Sequence, residues 1–162
     1  MITNERQYRI TKAQLKRFED DIAAHDARTP SAGVDPRLHH AMLDALASEA
    51  DELRAQVEHY EQLRDGAITG RQLDSLRDLP TALIEARIAA KMTQRTLADR
   101  LGVAEQQVQR WEATAYAGVG LDRLQDIADA LGSRIREDVT YSRRLTDRIW
   151  QHFWQHDQQG RP

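Results

Sequence analysis

Residues 93–112 read Thr93-Gln94-Arg95-Thr96-Leu97-Ala98-Asp99-Arg100-Leu101-Gly102-Val103-Ala104-Glu105-Gln106-Gln107-Val108-Gln109-Arg110-Trp111-Glu112. Thr93 is placed to cap a helix that begins at Gln94 and turns Leu97, Ala98 and Leu101 inward. Gly102 ends that helix, because glycine tolerates the positive φ of a sharp turn. Val103 follows as an apolar anchor, and a second helix over about 104–112 turns Val108 and Trp111 inward. The small Ala98 lets the two helices cross closely, and the buried Val108 sets the second at a steep angle to the first. A helix held that way presents its outer side to the surroundings. That side carries Glu105, Gln106, Gln107, Gln109 and Arg110.

These residue types have a chemistry in common. Glutamine bonds adenine through two hydrogen bonds, arginine does the same to guanine, and a glutamate accepts from cytosine. The first turn of the helix at Gln94, with Arg95 beside it, offers free backbone N–H groups to a phosphate. Two further short helices flank the pair. One, over about 80–91, opens at Pro80 and turns Leu83, Ile84, Arg87 and Ile88 to one side. The other, over about 121–131, turns Leu121, Leu124, Ile127, Ala128 and Leu131 inward and ends at Gly132.

Taken together, residues 79–132 resemble the Xre family of helix-turn-helix repressors, which have a lambda-repressor-like DNA-binding fold. The matching residues are Thr93-Gln94 with Leu97-Ala98, Leu101-Gly102-Val103, Val108 through Glu112, and Leu124 with Ile127-Ala128 and Ala130-Leu131-Gly132. The resemblance implies that Gln94 bonds a phosphate and braces the first base-reading side chain. It implies that Ala104, Glu105, Gln106, Gln107 and Arg110 face bases or backbone, and that Arg87 and Glu112 form a partly buried ion pair with a structural role. Three departures stand out. Ala104 replaces the usual Ser or Thr cap of the recognition helix. Glu105 puts a negative charge near DNA. The glycine turn that commonly follows Glu112 is replaced by residues 113–120, ATAYAGVG. Tyr116 in that loop either reaches a phosphate or packs inward, and Arg123 is placed for a backbone contact.

Ahead of this module, a helix is predicted over about Thr3 to His25. Tyr8, Leu15 and Ile22 recur every seven residues, with a break near Thr11, where Thr11-x-x-Gln14 forms a capping box. Pro30, Gly33 and Pro36 mark a loop. Asp35-Pro36 then opens a second helix that runs to Asp65, and Gly66 closes it. Leu46, Leu53 and Tyr60 form its stripe. The expected organisation is all-α: a helical hairpin or coiled-coil arm over 1–66, a helix-turn-helix domain over 71–132, and a tail over 133–162 with an amphipathic helix. The arm serves dimerisation or partner binding, or the two helices simply bury one another. It is similar to the arm of some Xre-type antitoxins, which implies a protein toxin as a partner and autoregulation of a shared operon; an adaptor role is the related alternative. In the tail, Leu145, Ile149 and Phe153 align with Trp150 and Trp154. Trp150, Phe153 and Trp154 pack within the chain or dimer, or bind a partner protein.

Composition narrows the function classes. The chain has 162 residues, 40% hydrophobic and 30% charged, with no cysteine. Disulfide scaffolds, thiolate metal sites and cysteine nucleophiles are excluded. No apolar run approaches the ~20 residues of a membrane helix, and the start lacks a signal-peptide core, so a cytoplasmic location is expected. His152 and His156 share a helix spacing without a clear third ligand. No catalytic constellation stands out, and neither an enzyme, a metal nor a cofactor is expected. The net charge is −3. It divides as −4 over residues 1–70, −1 over 71–132 and +2 over 133–162. A duplex DNA operator must therefore be bound through a few well-placed cations rather than a broad basic field. The expected function is a sequence-specific transcriptional regulator, most simply a repressor, bound as a homodimer to a near-palindromic operator.

Overall fold

The structure, a computed structural model, describes residues 1–26 and 35–136. It is all-helical over those residues. Six helices run in the order α1 (Glu5–Asp26), α2 (Pro36–Asp65), α3 (Leu79–Ala89), α4 (Gln94–Leu101), α5 (Glu105–Ala113) and α6 (Leu121–Leu131), with a 3-10 turn at Leu76–Asp78 before α3. The tail residues Trp150, Phe153 and Trp154 lie outside the described residues, as does the predicted tail helix.

The arm forms because each of its helices has one apolar stripe and nothing else to bury it. Tyr8 and Leu15 of α1 meet Ala50, Leu53, Val57, Tyr60 and Leu63 of α2 in the core. The Tyr8 and Tyr60 rings stack with centroids 5.1 Å apart. The Tyr8 hydroxyl donates to Glu61, and Lys12 Nζ reaches Glu61 at 2.9 Å. Hydrogen bonds from Tyr8 and then Lys12 hold the Glu61 carboxyl below its ordinary value. Asp35 caps α2 by accepting from the Arg37 N–H at 2.9 Å, and Gly66 closes it at φ 81°.

The expected break near Thr11 is absent, and α1 is continuous from Glu5. The cap sits earlier, where Asn4 Oδ1 accepts from the Gln7 N–H at 2.9 Å. Ile10, whose position off the stripe suggested the break, faces solvent at 57% exposure. An apolar residue on a solvent face costs little, so the helix has no reason to end.

Helices α3–α6 enclose a small core in which Leu83, Ile84, Leu97, Val108 and Ile127 are almost fully buried. Leu121 departs from its expected inward role: at the first position of α6 it is 66% exposed. The core contacts of α6 fall instead to Leu124, Ile127, Ala128 and Leu131. Helix α2 packs on α3, so the core runs without interruption from the arm into the α3–α6 unit. A second link is polar. Glu85 of α3 is buried and meets His59 Nε2 of α2 at 3.0 Å and Arg71 at 3.1 Å.

Candidate nucleic-acid interface

Helix α4 starts where Thr93 Oγ1 accepts from the Thr96 N–H at 3.0 Å, and ends where Gly102 takes φ 66°. Three residues later α5 begins at Glu105. Its cap residue, Ala104, has extended backbone and supplies no side-chain acceptor, so the cap missing from the sequence is missing in the fold.

Beneath α5 lies a buried polar cluster. Arg87 is 3% exposed and Glu112 is 4% exposed. The guanidinium forks onto the carboxylate, Nε to Oε1 at 2.5 Å and the second bond to Oε2 at 2.7 Å. Two-point pairing of this kind fixes orientation as well as charge. Two further donors go to the Met92 carbonyl at 2.8 Å and the Thr3 carbonyl at 2.6 Å. Gln94 Nε2 donates to the same Glu112 carboxylate at 2.8 Å. The first residue of α4 is thus tied to the last turn of α5, and its side-chain amide points inward. The backbone N–H groups of that first turn remain the group available to a phosphate. Arg95 is exposed beside them.

The outer side of α5 is open. Gln106, Gln109 and Arg110 are exposed, while Glu105 and Gln107 are half-buried. Gln109 Nε2 donates to Glu105 Oε1 at 3.1 Å, one turn away along the helix. Arg123 is exposed on α6, with its guanidinium 3.2 Å from Asp126 and 6.0 Å from the centre of the Trp111 ring. Tyr116 lies elsewhere. It is buried, at φ 57°, and its hydroxyl has no hydrogen-bond partner among the described residues. Of the two roles open to Tyr116, the structure has the inward one, and a phosphate cannot reach a hydroxyl enclosed in the core. Burial, then the nearby Glu112 carboxylate, raises its pKa above the ordinary tyrosine value.

The Thr3 and Met92 carbonyls are the members of this cluster that the sequence does not reveal. A backbone acceptor carries no residue identity, so no side-chain pattern points to it. Buried Glu85 is likewise unmarked, since its position on α3 looks like any charged helix residue. Among the described residues no group of three or more His, Asp or Glu side chains is arranged to hold a metal ion. No helix among them is long and apolar enough to cross a membrane.

A rigid helix about 10–12 Å across matches a major groove ~12 Å wide, and its outer side chains are donors and acceptors of the kind that read base edges. A family model described as Helix-turn-helix matches residues 83–137. This segment is a helix-turn-helix domain, a DNA-binding class found in transcription regulators. The match, which covers about a third of the chain, and the order of α3–α6 support a similarity to the Xre, lambda-repressor-like kind within that class. No curated protein and no solved structure matches the chain.

Proposed function

We propose that the chain is a sequence-specific transcriptional regulator that binds a near-palindromic operator as a homodimer and represses by obstructing polymerase. The observation that carries this reading is the open row Gln106, Gln109 and Arg110 on a helix braced from beneath by Arg87, Glu112 and Gln94. In a dimer, two such helices about 34 Å apart read adjacent major-groove turns. Gln106 and Arg110 are the base readers, with Ala104, Glu105 and Gln107 against bases or backbone. Arg95, Arg123 and the first-turn amides at Gln94 hold phosphates.

The test is selection of bound duplexes from a random pool, followed by titration of variants. Gln106→Ala and Arg110→Ala each weaken binding to the selected duplex by about 1–3 kcal/mol and relax preference at one position. Unchanged affinity in both variants contradicts the docking. Light scattering of the free protein and of the complex gives the stoichiometry; one chain per selected palindrome contradicts the dimer.

The arm supports a second role, capture of a protein toxin encoded beside this chain. Helix α2 is about 45 Å long at 1.5 Å per residue, and near its start Leu38 and Met42 are 58% and 52% exposed. A neighbouring toxin that co-purifies with the chain and is released by Leu38→Glu with Met42→Glu supports this role. Retention by that variant removes it.

A further inference from the structure

The arm does not only hang from the DNA-binding unit. The residues just before α1 are seated on Arg87 of α3, the side chain that braces the recognition helix through Glu112. The Thr3 carbonyl accepts from Arg87 at 2.6 Å, and Ile2 is buried at 4% exposure. Asn4 then caps α1, so the following residues have fixed positions. One open groove is lined by Arg6 and Gln7 of α1 together with Lys91, Gln94, Glu105 and Gln109 of the helix-turn-helix unit. The start of the arm and the edge of the candidate DNA face are therefore one continuous surface.

The charges on that surface are informative. Arg87 is committed to Glu112, and Arg64 lies over the Tyr8 ring and bonds Asp65. Arg6 and Lys91 are exposed, and neither has a salt-bridge or hydrogen-bond partner among the described residues. Lys91 is held in place at φ 55° in the turn between α3 and α4, where its N–H donates to the Ile88 carbonyl at 2.9 Å. With 23 basic against 26 acidic side chains the chain has no excess of cations to offer a polyanion, and Glu5 and Glu105 line the same groove. Two unpartnered cations lining one groove, from α1 and from the turn before α4, are suited to a phosphate strand running along it.

We infer that the DNA interface extends off the helix-turn-helix onto the first turn of α1, where Arg6, with Lys91 of the same groove, contacts the phosphate backbone beside the half-site. This rests on the DNA-binding reading above. It assigns a contact to the arm, which that reading left as a device for dimers or partners. Phosphate contacts position a protein without reading sequence, so their loss has a distinct signature.

The experiment uses the full chain, the neutral variants Arg6→Gln and Lys91→Gln, and two probes: the duplex recovered by selection and a mixed-sequence duplex of equal length. Affinity is measured across a salt series. Each variant is expected to lower the salt slope by about 1 and to weaken binding about eightfold at 0.1 M salt, equally on both probes. Wild-type slope and affinity in both variants overturn the inference while leaving base reading by α5 intact. A loss confined to the selected duplex also overturns it, because that is the behaviour of a base reader. If selection enriches no sequence, specific reading by α5 fails, and the mixed-sequence duplex still reports the two phosphate contacts. Both side chains are exposed, so unchanged thermal midpoints identify these losses as binding effects.

Discussion

Arg87 uses four hydrogen bonds on three different partners, a carboxylate and two carbonyls. Only a planar guanidinium presents donors in that spread; a lysine ammonium has three donors for these four acceptor atoms and cannot pair with all of them. Tyr116 shows the opposite case a few residues past the end of α5, a buried hydroxyl with no acceptor among the described residues. Leaving such a group unsatisfied costs about 1–3 kcal/mol, so Tyr116→Phe is expected to raise stability by roughly 1 kcal/mol while keeping the ring packing. The raised pKa of Tyr116 has a defined sign. The neutral form is favoured in the fold, so its contribution is complete below the unfolded tyrosine value near 10 and is lost as pH rises through the folded value. Tyr116→Phe should therefore also flatten the alkaline limb of the stability profile. Chemical denaturation between pH 7 and 11 measures both effects. A variant less stable than the parent at pH 7, with the alkaline limb unchanged, refutes the placement.

The helix ends were legible because caps are local chemistry. Asp35-Pro36, Thr93, Gly66 and Gly102 mark helix ends within a residue or two of where the backbone turns, and no tertiary information is needed to see them. What was not legible at this scale depends on which side of a helix faces the rest of the protein. Ile10 suggested a break, and Leu121 an inward side chain, yet both point to solvent. Ala104 gives the sharpest test at this scale. It is exposed, its backbone is already extended, and Gln107 stands three residues on with its N–H bonded to the Ala104 carbonyl at 2.9 Å. Ala104→Ser supplies the side-chain acceptor that the first turn of α5 lacks, within reach of the Gln106 N–H, and permits a capping box in which the Gln107 side chain bonds back to the cap N–H. The expected gain is about 1 kcal/mol in stability, read as a higher denaturation midpoint. No gain would mean that the first turn of α5 is already satisfied by other groups.

Across the whole molecule, the recognition surface was read from α5 alone, but its setting was not. Nothing in the spacing of residues 93–112 announces that the residues just before α1 sit against Arg87, or that His59 and Arg71 close on Glu85, because those contacts join residues 14 to 84 positions apart. The arm and the α3–α6 unit share one core, so loosening the hairpin is expected to loosen the seat of the DNA face. Acid should do this through Glu61. Its folded pKa is depressed by Tyr8 and Lys12, so its contribution is full above the unfolded carboxylate value near 4.3 and is lost as pH falls through the folded value. Thermal melts followed by far-ultraviolet circular dichroism between pH 3 and 6 give the wild-type slope. Glu61→Gln removes the titrating group, so this variant should be less stable at pH 6 and show a shallower fall toward pH 3, converging on the wild type at the acid end. If the two profiles stay parallel, the Tyr8–Glu61–Lys12 cluster is not what holds the base of the arm together, and packing of Tyr8 on Tyr60 must carry it alone.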